Sequence, residues 1–330
     1  MSARKAARLA LGIAFGALFL WLVLRHLGPG DLRRAFAGAR AGWVAAAVLA
    51  FFAGYACRIA RWRLMLARDT PGLTWRDCAG PFLASFAANK VLPFRAGDVL
   101  RSFAFNRLLR TSSGVVIATL LVERLLDLLM VLVLLGAALA LFGLDAARFA
   151  GVGLAAIAAG AGAILFVLLF PRAFMPVALG AARLVARLAP GPGRKLLAEA
   201  ERSFATLEHV ARGNTMVKLV SWSLVAWLAE ACVFWFAALA LPSLLAPVAG
   251  WLALPVGTLA TLIPSTPGYV GTFDYFTVRA MTALGNPSGA ATAYALLVHA
   301  LLWLPPTLVG GAYLLLRPVP RPDRSKEVPT

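Results

Sequence analysis

The chain has 330 residues, of which 61% are hydrophobic, and its mean hydropathy is +0.81. That composition excludes an ordinary soluble domain, because several apolar runs reach the roughly 20 residues needed to cross a bilayer. The formal net charge of +18 is spread over loops and helix ends. In a membrane protein such charge sets topology and contact with anionic lipid, and no RNA- or DNA-binding motif accompanies it, so nucleic acid is not an expected partner.

In chain order, the apolar runs predict an all-α bundle with six crossings, at roughly 7–26, 42–66, 113–142, 149–170, 217–241 and 289–316. The first begins among Arg4, Lys5 and Arg8 and resembles a signal peptide. Trp21, Leu22 and Arg25 stand where small residues would mark cleavage, so a retained signal anchor is expected. Arg58, Arg61 and Arg63 close the second crossing beside Trp62. The expectation there is snorkelling to the cytoplasmic interface. Segments 78–96 and 248–285 are apolar but broken, and are expected to be re-entrant. A short surface helix over 97–110 would lay Leu100, Phe103 and Leu108 down, with Arg101, Arg107 and Arg110 towards phosphates.

The link 171–216 carries Leu197, Ala200, Phe204, Leu207 and Ala211 at helical spacing. Two placements fit such an amphipathic helix: flat on the cytoplasmic leaflet, or packed on the bundle. The tail after Arg317 is Pro-rich and charged. The division is therefore a membrane domain over 1–316 and a disordered cytoplasmic tail over 317–330.

Basic residues orient the chain. The link holds Arg172, Arg183, Arg187, Arg194, Lys195, Arg202 and Arg212, and the tail holds Arg317, Arg321, Arg324 and Lys326. Both should be cytoplasmic, as should the N-terminus, and six crossings satisfy all three. The segment 25–40, with Arg25, Arg33, Arg34 and Arg40, then falls outside and opposes the rule.

The most informative stretch is Asn89 to Arg101, NKVLPFRAGDVLR. It carries Lys90, Arg95, Asp98 and Arg101, broken by Pro93 and Gly97. Such a segment persists in a membrane only if protein buries it or it lines a watery cavity. A second break, LIPSTPGYVGTFD, runs from Leu262 to Asp274. In both, an aliphatic residue precedes a Pro, and a Gly follows four later: Pro93 and Gly97, Pro264 and Gly268. Pro removes a backbone donor and Gly permits unusual dihedrals, so both breaks should expose backbone polar groups able to bind a headgroup. One break in each half, entering from opposite sides, is the pattern of an inverted repeat with its site near the midplane. The alternative is one cytoplasmic loop and one outer loop.

The third crossing contains Glu123, Arg124 and Asp127, neighbours on one helix. Counted from Gly114, Glu123 lies roughly 13 Å into the span. Each charge at the bilayer centre costs about 2.5–3.5 kcal/mol on the insertion scale. The triplet should therefore face the interior and meet another charged element, with Arg95 and Arg101 as candidates. It serves as a structural clamp, a binding site, or both. Glu230 in the fifth crossing and His299 in the last are weaker signals, either cavity-facing or packing residues. Cys57, Cys78 and Cys232 show neither metal spacing nor a disulfide framework. Hydrolase, P-loop, kinase and metalloprotease signatures are missing, and no cofactor or metal is expected.

Three blocks together resemble the lysylphosphatidylglycerol synthase transmembrane, or flippase-like, family of bacterial and archaeal membrane proteins. They are Asn89–Arg101, Glu123–Asp127 (ERLLD) and Pro264–Asp274 (PSTPGYVGTFD). Members often carry Glu where this chain has Asp98 and Asp274, which keeps the charge and shortens the reach. The family includes the flippase half of the multiple peptide resistance factor, which moves aminoacylated phosphatidylglycerol to the outer leaflet. The resemblance implies a lipid-translocating domain of a bacterial inner membrane and no enzyme activity in this chain. Its implied partner is an anionic or aminoacylated phospholipid or a glycolipid, and a homo-oligomer stays open. The implied substrate-binding residues are Asn89, Arg95, Asp98, Arg101, Glu123, Arg124, Asp127, Pro264, Thr266, Gly268 and Asp274. Within that set, Arg95 and Arg101 would attract phosphate, while Asp98, Glu123 and Asp127 would hold the arginines or meet a cationic headgroup. Two rivals remain. One is a membrane transferase using a lipid-linked donor, for which Asp31 is the only acid in the first loop. The other is an accessory subunit of an envelope enzyme.

Overall fold

The computed structural model describes residue 21 and residues 30–92, 95–144, 153–188, 190–263 and 266–317. Among these residues there are thirteen α-helices and no strand. Four helices are long and apolar enough to span a membrane: α2 (Ala41–Leu66), α6 (Ser113–Leu141), α10 (Gly213–Leu239) and α13 (Ser288–Leu316). They coincide with four of the six expected crossings. The first expected crossing and the tail beyond Arg317 lie outside the described residues. The fourth appears as α7 (Leu154–Leu169), 16 residues long. At 1.5 Å per residue that is about 24 Å, short of the roughly 30 Å hydrocarbon core.

The remaining helices connect or penetrate this frame. A short α1 (Asp31–Phe36) precedes α2. Next come α3 (Trp75–Val91), α4 (Ala96–Phe103) and α5 (Asn106–Leu109). The link forms α8 (Met175–Leu188) and α9 (Pro190–Ala211). Finally, α11 (Gly250–Ala260) and α12 (Thr272–Ala283) flank the second break.

Local chemistry sets the helix starts. Thr74 caps α3 through a reciprocal box: its hydroxyl accepts from the Asp77 N–H, and the Asp77 carboxylate accepts from the Thr74 N–H. Ser112 caps α6 by accepting from the Val115 N–H. The Asp274 carboxylate accepts from the Gly271 N–H at the start of α12.

Tertiary hydrogen bonds define two ends of the bundle. At one end, the Thr70 hydroxyl after α2 donates to the carbonyls of Leu109 and Arg110, just before α6. Helix α9 sits on this same end. Its Glu199 carboxylate accepts from the Gly114 N–H at 2.5 Å, Ser203 donates to the Gly114 carbonyl, and the Ala205 carbonyl accepts from Arg68. The link helix is therefore packed on the bundle. At the other end, the Arg40 N–H donates to the Ala240 carbonyl and Ser243 donates to the Ala35 carbonyl. The charged segment before α2 thus lies opposite the basic link, as the six-crossing pattern requires.

Both broken segments are hairpins that leave by the end they came from. Helix α3 starts beside α2's last turn, and α4 and α5 return to that place. Helix α11 begins near Ala246 and α12 ends near Asn286. The Asn286 amide bonds the Ala246 N–H at 2.9 Å and its carbonyl at 3.0 Å. The two hairpins therefore enter from opposite ends. Their tips meet inside: Arg95 Nε lies 3.4 Å from the Tyr269 hydroxyl, and Trp303 Nε1 from α13 donates to the Lys90 carbonyl at 3.4 Å. This opposed arrangement is the one expected of broken segments that surround a midplane site.

Candidate headgroup cavity

The meeting point of the two tips borders a half-open cavity of about 320 Å³. Asn89, Lys90 and Arg95 reach it from the first hairpin. Arg124 and Asp127 reach it from α6, Gly268 and Tyr269 from the second break, and Arg58, Glu230 and His299 from the spanning helices. Phe51, Tyr55, Phe86, Trp227 and Phe273 complete the wall. A mostly apolar wall with a few convergent polar groups is the usual make-up of a ligand site.

The first tip is held open by backbone geometry. Helix α3 stops at Val91, and Leu92, the residue directly before Pro93, is extended with ψ of 145°, as the steric demand of a following proline favours. Arg95 then adopts a left-handed conformation with φ of 52°, an uncommon state for a side-chain-bearing residue. Gly97 lets α4 fold back against α3, because any Cβ there would collide with the Ser85 carbonyl and the Asn89 side chain. The Asn89 amide closes the turn, donating to Asp98 Oδ1 at 2.8 Å and accepting from the Asp98 N–H at 3.2 Å.

Each member of the charged triplet of α6 has its own partners. Glu123 pairs with Arg101, and both are buried. The Arg101 guanidinium lies 4.5 Å from the Trp62 ring centroid and 4.9 Å from that of Phe82. Its Nε and Nη1 have no hydrogen-bond acceptor, so the ring faces supply the remaining stabilisation. Arg124 Nη2 contacts both Asp98 oxygens, at 3.1 and 3.2 Å. Asp127 receives Arg61 at 2.9 Å, Arg58 at 3.3 Å and the Trp227 indole N–H at 3.2 Å. Arg58 also reaches Glu230 at 3.4 Å. Such a network is stable in a low-dielectric interior only because nearly every charge meets its opposite.

The second tip is organised by His299. Its Nδ1 lies 2.8 Å from Asp274 Oδ1 and its Nε2 lies 3.1 Å from the Gly268 carbonyl. Gly268 has φ of 75° and Gly271 has φ of 87°, conformations that glycine adopts without penalty.

Several expectations need correction. Arg101 was expected to attract phosphate. It is fully buried in the ion pair with Glu123 and does not reach the cavity. Arg58 and Arg61 do not snorkel. Helix α2 continues to Leu66, so Arg58 sits eight residues, about 12 Å, inside its end. Thr266 does not line the cavity, and its hydroxyl donates to the Val270 carbonyl at 3.0 Å. Asp98, Glu123 and Asp274 stand behind the wall and hold Arg124, Arg101 and His299, respectively. Of the expected site residues, Asn89, Arg95, Arg124, Asp127 and Gly268 line the cavity. Pro264 lies outside the described residues.

Lys90, Arg58, Glu230 and His299 are wall residues outside the binding set expected from sequence. The signal that could have found them was their ionisable character deep in apolar segments, by default a sign of function. Among the described residues, Lys90 makes no ion pair, and Arg95 has no carboxylate partner.

The fold and cavity define an integral membrane helix bundle with two opposed re-entrant hairpins around a charged internal site. The family model for the lysylphosphatidylglycerol synthase TM region matches residues 9–310, and the chain belongs to that family. It is thus a membrane protein of a lipid-handling family. A search of the curated proteins finds no match.

Proposed function

We propose that this chain moves a phospholipid or glycolipid between the leaflets of a bacterial cytoplasmic membrane. The cavity would hold the headgroup while the acyl tails remain in lipid. The observation that carries this reading is the pairing state of the wall. Its carboxylates all have protein cations, whereas Lys90 and Arg95, at the first tip, have no carboxylate partner among the described residues. Two free cations beside a kinked backbone form a receptor for a phosphate oxyanion. The opposed hairpins support the reading further, because rocking one against the other would expose the same site to either leaflet in turn. The transport reading assigns no catalytic step to the chain.

The decisive residue is Arg95. In proteoliposomes carrying a labelled anionic lipid, Arg95→Gln should lose most translocation while keeping its melting temperature within a few degrees of the parent's. Arg95→Lys should retain part of it, since charge survives and the planar donor fork does not. Normal transport by Arg95→Gln would remove the headgroup role from the first tip.

A further inference from the structure

The charge balance of the cavity bears on which headgroup it accepts, an inference that rests on the lipid reading above. Five cations belong to the cavity network: Arg58, Arg61, Lys90, Arg95 and Arg124. Three carboxylates oppose them among the described residues: Asp98, Asp127 and Glu230. Asp98 is held by Arg124 at 3.1 Å, Asp127 by Arg61 at 2.9 Å, and Glu230 by Arg58 at 3.4 Å. Five against three leaves an excess of two positive charges, and the geometry places them on Lys90 and Arg95. The His299–Asp274 pair does not reverse the sign. With a neutral imidazole it lowers the excess to one, and with an imidazolium it leaves two.

The strongest argument for an amine-bearing headgroup would be Glu230 beside the aromatic wall. Arg58 already occupies both of those features. It contacts the Glu230 carboxylate, and its guanidinium stands 5.0 Å from the Trp227 ring centroid. An incoming ammonium would share Glu230 with Arg58 and would meet Arg58, Lys90 and Arg95 as like charges. Size adds a second restriction. At about 320 Å³ the cavity is at the small end of ligand sites, which run from about 300 to 1,000 Å³. Within its walls that leaves room for a phosphate with a short polar substituent, and any larger group would extend out through the open side.

We infer that the cavity selects a small phosphate headgroup without an amine, in preference to aminoacylated or zwitterionic headgroups. The same chemistry is present in a soluble phosphate monoester, so the test must separate the two sources.

The full chain is placed in proteoliposomes with labelled phosphatidylglycerol, phosphatidylethanolamine or lysylated phosphatidylglycerol of matched tails, and uptake of radiolabelled glycerol phosphate is followed in parallel. Phosphatidylglycerol should cross at least about tenfold faster than the lysylated lipid, the effect expected if only one of the two lysyl ammonium charges is felt, partly screened. Because Arg95→Gln is expected to lose transport, the Lys90→Gln/Arg95→Gln double variant, checked for an unchanged melting profile, is read by binding. Short-chain phosphatidylglycerol and its lysylated form should raise its melting temperature equally, and a persisting preference for phosphatidylglycerol would overturn the assignment of selection to these two cations. Equal or faster movement of the lysylated lipid by the parent would overturn the inference. Uptake of glycerol phosphate with no lipid movement would end the lipid reading and leave the headgroup selection standing. If nothing moves, transport fails as a function. Selection is then read from binding: short-chain phosphatidylglycerol should raise the melting temperature more than its lysylated form, and the reverse order would refute it.

Discussion

At the residue scale, Arg101 shows how a cation is kept inside an apolar bundle. Neither polar solvent nor lipid phosphate reaches it, and its compensation comes from one carboxylate and two aromatic faces. A pair of this kind is expensive to break and cheap to replace as a unit, because breaking it strands a buried charge. Glu123→Ala should therefore destabilise the protein by about 3–5 kcal/mol. Arg101→Met combined with Glu123→Leu should cost markedly less, since no charge is left alone. Melting curves of the two variants in one detergent check the order. Equal losses would mean that water reaches Arg101. Arg95 behaves in the opposite way. It is exposed, left-handed and meets no carboxylate among the described residues, so its removal should alter transport and spare the fold.

At the element scale, the re-entrant hairpin depends on a close backbone approach. Gly97 on α4 faces the Ser85 carbonyl of α3 without room for a methyl group. A backbone carbonyl cannot rotate aside as a side chain could, so Gly97→Ala should part the two helices and disturb Asn89 and Asp98. Loss of transport with a lowered melting temperature is the expected result. Gly136 on α6 faces open space instead, and a methyl group added there would meet nothing within 4 Å. At that position Gly136→Ala should be neutral or slightly stabilising, by up to about 1 kcal/mol from helix propensity. Similar behaviour of the two variants would argue against close α3–α4 packing. The sequence signalled this hairpin through Pro93 and Gly97, because both residues restrict or relax the backbone locally. It did not signal Arg58 and Arg61. Their position near an apolar segment's end is shared by snorkelling and by buried arginines, and only the tertiary pairing with Asp127 and Glu230 from two other helices separates the cases.

At the scale of the whole molecule, the two ends of the bundle differ in charge. One end holds Arg68, Arg107, Arg110 and the link, and the other holds Arg33, Arg34, Arg40 and Arg279. By the positive-inside rule we expect the link end to face the cytoplasm. Leu188 on α8 and Leu245 before α11 are both well exposed, at 79% and 75%, and mark the two ends. In a background lacking Cys57, Cys78 and Cys232, Leu245→Cys should react with an impermeant thiol reagent in intact cells and Leu188→Cys should not. The inverse pattern would turn the molecule over in the membrane.

The sequence by itself determined the membrane class, the long spans, the two broken segments and the family. Each is written in local terms: apolar run length, helix-breaking residues, and short blocks of charge. It also showed that the charges near Glu123 must face inward, because lipid cannot solvate them. Only the tertiary structure decided which charge meets which. Arg101 and Arg95 lie six residues apart in one motif, yet one is sealed against Glu123 and the other stands at the cavity edge. Lys90, Glu230 and His299 come together from three separate segments. Pairing across such distances depends on how helices cross, and helix crossing is set by side-chain packing between elements rather than by periodicity within one.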